Sequence, residues 1–107
     1  MAGLRNREVS PLAFGALLPI VDAYLAIDDH WAHTAMRRLA RPIEGDPAIA
    51  AGASGAAALG GLVAVLADPA LEQVRRRLQL GPESSVLVLV TEGVTDPALW
   101  SSVVAQP

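Results

Sequence analysis

The chain has no lysine. All eight basic side chains among its 107 residues are arginine: Arg5, Arg7, Arg37, Arg38, Arg41, Arg75, Arg76 and Arg77. No side chain therefore offers an amine for a Schiff base, and the N-terminus is the one primary amine present. Cysteine is also absent, which excludes disulfides and thiolate metal sites but fixes no redox compartment. Aromatic residues make up only 4% of the chain. A core must then be built largely from alanine and aliphatic side chains, each burying little area. Basic residues are outnumbered, with a net charge of −3 and a pI of about 5.2, which argues against nucleic acid as a partner.

What is present is apolar content, 52% of the residues, enough for a core and against disorder. The length sets at most one domain. The first ten residues carry Arg5, Arg7 and Glu8 and no apolar core of signal-peptide type. Residues 48–67 form twenty residues without a charge, long enough to cross a bilayer. They are rich in Gly and Ala, are flanked by Asp46 and Asp68, and lack an aromatic belt or an Arg bias. A buried strand-to-helix unit is the better reading.

Proline and acidic or hydroxyl residues punctuate the chain. Ser10-Pro11, Asp68-Pro69 and Asp96-Pro97 each pair an N-cap side chain with proline at the first helical position. They predict helices starting at Pro11, at Pro69 (to about Leu80, ended by Gly81-Pro82) and at Pro97. Asp28 predicts a cap for a helix over 29–40 with Trp31, Ala35, Met36 and Leu39 on its apolar side. Another helix is predicted from about Gly55 to Ala67, where Gly60 and Gly61 would each cost about 1 kcal/mol relative to alanine and so point to close packing on a neighbour. Strands are predicted at Ala23–Ile27, very briefly at Ile49–Ala51, and over Val86–Val90. That last apolar run reads as a strand buried on both faces, ending in the polar turn Thr91-Glu92-Gly93. Ligands in open α/β sheets sit off such strand ends. The predicted order, α-β-α-β-α-α-β-α, favours a layered α/β arrangement, although three short strands make a poor sheet alone.

Several residues invite simpler readings. His30 and His33 lie three apart near Asp28 and Asp29, a spacing zinc can use, but no third ligand is evident and solvated helix residues are expected. Arg75, Arg76 and Arg77 are consecutive, so they fan around a helix and form no stripe. No nucleophile–histidine–acid arrangement is readable.

Three stretches, in order along the chain, resemble one family. They are Met1-Ala2-Gly3-Leu4 with Glu8-Val9-Ser10-Pro11-Leu12-Ala13-Phe14; Gly45-Asp46-Pro47-Ala48-Ile49-Ala50-Ala51-Gly52-Ala53-Ser54-Gly55-Ala56; and Thr91-Glu92-Gly93-Val94-Thr95-Asp96-Pro97. Together they resemble the C-terminal part of diaminopropionate ammonia-lyases, which belong to the tryptophan-synthase-β-like, fold type II group of pyridoxal-phosphate enzymes. The resemblance implies that residues 1–107 form a single partial domain, a layered αβα piece of an α/β fold with a mostly parallel sheet. It implies a fragment of a carbon–nitrogen lyase that releases pyruvate and ammonia from 2,3-diaminopropionate by α,β-elimination, with pyridoxal 5'-phosphate as electron sink. The chain alone is expected to be inactive, since it has no lysine to hold that cofactor, and it is expected to carry no catalytic residue and no metal.

By the same resemblance, the Thr91 hydroxyl meets the pyridine nitrogen of the cofactor, and Glu92, Gly93 and Gly3 contribute to its pocket. A neutral hydroxyl does not force that nitrogen to be protonated, which tunes the cofactor toward elimination. The related enzymes commonly show Gly-Glu-Ser-Gly where this chain has Gly52-Ala53-Ser54-Gly55, so a carboxylate expected near the ring is missing. Gly52 and Gly55 are expected to serve tight helix packing. The chain's start at a pocket-lining segment fits a truncation or an internal start. The complete enzyme is expected to be a cytoplasmic homodimer acting on a small amino acid, with no nucleic-acid or membrane partner. The alternatives are a fragment of a threonine dehydratase or threonine synthase-like enzyme, and a non-catalytic interaction module.

Overall fold

Helix formation follows the cap signals closely. The structure, a computed structural model, describes residues 1–107 apart from the side chain of Ala2. Five α-helices carry it: α1 (Pro11–Leu17), α2 (Asp29–Ala40), α3 (Ala53–Ala67), α4 (Glu72–Arg77) and α5 (Pro97–Val104). Short 3-10 turns occupy Ala2–Leu4 and Pro69–Leu71. Ser10 Oγ accepts from the Ala13 amide at 3.3 Å, Asp68 Oδ1 from Ala70 at 2.9 Å, and Asp96 Oδ1 from Leu99 at 2.9 Å. Each satisfies an amide that the first helical turn leaves without a backbone partner. Asp28 departs from expectation, since its side chain makes no cap bond.

The helix predicted over 69–80 is instead a 3-10 turn followed by α4, and its stop signal lies elsewhere than expected. Gln79, with φ 54°, takes the left-handed position. The Leu80 amide donates to Arg75 O at 3.1 Å and the Gln79 amide to Arg76 O at 3.0 Å. This is the paired bonding of a Schellman closure, with its left-handed residue two positions before Gly81.

The predicted sheet is absent. Half of the chain is helical, and among the described residues there is no strand. The α/β assignment with a mostly parallel sheet is therefore corrected: Ala23–Ile27, Ile49–Ala51 and Val86–Val90 are irregular segments, none laddered to another. Apolar runs of β-branched residues favour an extended backbone, but a sheet needs a hydrogen-bonded neighbour, and no two of these segments supply one to each other. Val86, Leu87, Leu89 and Val90 are exposed, contrary to burial on both faces.

The core is small and lies between α2, α3 and α5. Ala35, Met36, Ala51, Ala53, Ala56 and Val103 are buried together, with Met1, Leu39, Leu59 and Trp100 packed around them. Met36 is the one large side chain fully buried among the described residues. Gly60 explains how α2 and α3 come so close. A Cβ there would stand 2.9 Å from Trp31 O and 3.0 Å from the Ala32 nitrogen, so the absent side chain admits the α2 backbone. Gly61 does not share this role; its nearest neighbour is Leu25 Cδ2 at 3.4 Å. Arg41, just past α2, donates from its two terminal nitrogens to the carbonyls of Val104 and Gln106, tying α2 to the end of α5.

Helix α1 buries none of its residues. The apolar stretch 48–67 enters the core and then α3, and the chain turns by 90° between α3 and the following helical segment. Among the described residues no single helix is long and apolar enough to cross a membrane. The radius of gyration is 14.8 Å, larger than the about 13 Å of a compact domain of this length.

Candidate functional site

The N-terminus of α3 gathers most of the residues singled out by sequence. Gly52 is its N-cap and makes no side-chain cap. The Gly52 amide instead donates to Glu92 O at 3.1 Å. A Cβ on Gly52 would lie 2.5 Å from the Gly93 carbonyl oxygen and 3.0 Å from Glu92 Oε2. A Cβ on Gly55 would collide with the Glu92 carbonyl oxygen and stand 2.6 Å from the Glu92 nitrogen. The two glycines therefore do serve tight packing, as expected, but against the Glu92–Gly93 backbone and not against another helix. Only residues without side chains let the turn sit this close to α3.

Two hydrogen bonds complete the arrangement. The Gly3 amide donates to Ser54 Oγ at 3.1 Å, which brings the N-terminal segment to the same helix end. Thr95 Oγ1 donates to Glu92 Oε1 at 3.0 Å, orienting the carboxylate from the far side of the turn. Beside them is a cavity of about 120 Å³ bordered by Gly52, Ser54, Glu92, Thr95, Asp96 and Trp100. Trp100 Nε1 is buried without a hydrogen-bond partner among the described residues.

Thr91 stands apart from this cluster. It is exposed, makes no side-chain hydrogen bond among the described residues, and does not border the cavity. The expected position at the end of a central strand is lost with the sheet; the exposed hydroxyl remains. The His30 and Trp31 rings lie with centroids 4.5 Å apart, tilted by 41°, and no cluster of metal-ligating side chains occurs among the described residues. The N-terminal amine lies 3.5 Å from Asp29 Oδ2. The strut formed by the Glu92 backbone and the Thr95–Glu92 bond escaped the sequence reading. The spacing of Gly52 and Gly55 at the head of a helix was the one signal that could have found the strut.

Comparison with known proteins finds relatives that match the chain over nearly its whole length. No family model matches the chain. The diaminopropionate ammonia-lyase of Escherichia coli K12 is 38% identical over 104 residues, covering 97% of this chain and 26% of that protein, in its C-terminal part. The enzyme of the same name from Salmonella typhimurium LT2 is 30% identical over 105 residues with the same coverage. By sequence, nearly the whole chain is similar to the C-terminal quarter of diaminopropionate ammonia-lyases. It spans about a quarter of the length of the curated relatives it matches.

This similarity sharpens the question of the cofactor. With no lysine in the sequence, this chain cannot hold pyridoxal phosphate covalently through a side chain. The exposed, unpartnered Thr91 hydroxyl does fit a hydrogen bond to a ring nitrogen, since it is free both to donate and to accept. Glu92 and Gly93 fit a supporting role because their backbone is locked to α3. Gly3 is tied to Ser54, so its amide is already used. Ala53 is buried in the core. The Glu92 carboxylate is the acidic group at this helix end, and it is held by Thr95.

Proposed function

We propose that the chain forms one wall of the active site of a pyridoxal-phosphate-dependent ammonia-lyase acting on 2,3-diaminopropionate. The observation that carries this reading is the convergence, at the head of α3, of the segments around Gly3, Gly52–Gly55 and Glu92–Gly93, which lie far apart in sequence. The names of its relatives support the substrate and the reaction class. Bound at this site, the cofactor would supply the electron sink that an α,β-elimination needs. The Thr91 hydroxyl would hydrogen-bond the ring nitrogen and leave it unprotonated. Gly52 and Gly55 would fix that hydroxyl by gripping the next residue, Glu92. The Glu92 carboxylate would stay with Thr95 and the α3 N-terminus, where the helix dipole favours negative charge. Covalent attachment of the cofactor and proton transfer at the substrate would fall to groups outside this chain.

A chimera tests the reading. The C-terminal quarter of the Escherichia coli enzyme is replaced by this chain, and pyruvate release from 2,3-diaminopropionate is followed. The chimera is expected to turn over. Thr91→Ala is expected to lower kcat by at least tenfold with cofactor still bound, and Thr91→Ser to restore most of it. A folded, cofactor-loaded chimera without activity, or an unchanged Thr91→Ala rate, refutes the proposal. A second reading, a non-catalytic module, is favoured by the missing lysine; it requires the chimera to be inactive.

A further inference from the structure

Trp100 Nε1 is the one buried side-chain nitrogen or oxygen without a hydrogen-bond partner among the described residues. Water bonds such a group in the unfolded chain, so leaving it bare in the fold costs its full desolvation, and native structures seldom do so. The atom is enclosed by this chain itself, so no segment arriving from outside can reach it. Its partner must fit within what already surrounds the ring. Trp100 borders the cavity of about 120 Å³ at the head of α3. That is well below the about 300–1,000 Å³ of a pocket for an organic ligand. It is ample for water, whose share of liquid volume is about 30 Å³.

The other polar residues at the cavity decide the chemistry of the occupant. Thr95 takes up Glu92 Oε1 at 3.0 Å, and the Leu99 amide takes up Asp96 Oδ1 at 2.9 Å. Among the described residues the second oxygen of each carboxylate accepts nothing. Ser54 Oγ accepts from the Gly3 amide at 3.1 Å, and its own hydrogen has no acceptor among the described residues. The residues around the cavity thus hold two donors in reserve, on Trp100 and Ser54, and two acceptors, on Glu92 and Asp96. An ammonium-type cation has no lone pair to offer the two donors. An anion has no hydrogen for the carboxylates and is repelled by them. Water accepts two hydrogen bonds and donates two. We infer that the cavity is the site of a bound water, which accepts from Trp100 Nε1 and Ser54 Oγ and donates to the free oxygens of Glu92 and Asp96. Through this water Trp100 is a positioning residue for the Glu92 carboxylate, holding the oxygen that Thr95 does not. The Glu92–Gly93 turn is thereby fastened to α5 as well as to α3.

The experiment uses the full chain, and none of its readouts involves cofactor or turnover. NMR is expected to show a cross-peak between the Trp100 indole N–H and water, with the sign given by a water that tumbles with the protein. The cross-peak is expected to persist in Ser54→Ala and in Thr95→Val, which removes the neighbouring hydroxyls as relays. In a Trp31→Phe background, 3-benzothienylalanine in place of Trp100 keeps the shape of the ring and loses the N–H. A side chain that only fills space would not register that change. The analogue is expected to speed Gly52 amide exchange and to raise the unfolding equilibrium constant, each about fivefold, the worth of one hydrogen bond. Overturning results are no such cross-peak, its loss in either hydroxyl variant, or an analogue as stable as tryptophan or more so. A saturable shift of the Trp100 indole resonance with ammonium chloride, but not with the bulkier tetramethylammonium chloride, also overturns the inference, in favour of a cation. A bound water beside an inert Thr91 refutes only the proposed function, and an active chimera without the bound water refutes only this inference.

Discussion

Replacing Gly55 by alanine tests the grip between α3 and the Thr91–Gly93 turn. In an open helix the change would stabilise by about 0.5–1 kcal/mol. Here the new methyl would collide with the Glu92 carbonyl and stand 2.6 Å from its nitrogen, and both are backbone atoms that cannot rotate away. Forcing an extra methyl into a filled space costs about 1–3 kcal/mol, which corresponds to roughly a 5- to 150-fold shift between closed and open turn. The Gly52 amide reports that equilibrium directly, since it is bonded to Glu92 O only when the turn is closed. Its hydrogen exchange, followed by NMR, is expected to accelerate by that factor in Gly55→Ala. The amide of Val63, in the middle of α3, is expected to be unaffected. Gly15→Ala provides the control, as nothing lies within 4 Å of its would-be Cβ. An unchanged Gly52 exchange rate in Gly55→Ala would show that the turn does not rest on α3, and the site geometry would fall with it.

Two further outcomes follow from neighbouring features. Gly60→Ala should separate α2 from α3 and destabilise by about 1–3 kcal/mol, whereas Gly61→Ala, facing only the movable end of Leu25, should be neutral or mildly stabilising; equal melting temperatures for the two variants would contradict the close crossing. Gln79→Gly should stabilise by about 1 kcal/mol, since a side chain in the left-handed region is strained and φ at Gln79 is 54°; urea denaturation reads this, and a loss of stability would mean that the Gln79 side chain does more than occupy the turn.

The helices were legible because their signals are local. Ser10, Asp68 and Asp96 each reach an amide two or three residues away, and proline beside them leaves little alternative. The missing sheet shows the opposite case. Val86–Val90 declares an extended preference within itself, but pairing belongs to two segments at once, and nothing in one run states where its neighbour lies. The site divides in the same way. The ordered motifs around Gly3, Glu92 and Gly93 were legible and do meet at the head of α3, and the close approach at Gly60 was legible from its cost in a helix. The contact of Gly52 and Gly55 with Glu92 spans the length between α3 and α5, and glycine spacing alone does not name the partner that fills the vacated space. Gln79 was overshadowed by Gly81, because residue preference pointed to glycine while the hydrogen bonds of the last turn chose the position.

Met36 gives the small cavity a chemical vulnerability. The chain has two methionines and no cysteine, so no thiol competes for an oxidant. Met36 is 1% exposed, lies at the centre of the alanine core, and borders the cavity shared by Gly52 and Trp100. Conversion to the sulfoxide would place a polar, chiral oxygen among methyl groups and push α2 away from the head of α3. Peroxide reaches that sulfur only while these elements are parted. The rate at which Met36 gains oxygen is therefore a clock for the breathing of the site, read by mass spectrometry without any substrate present.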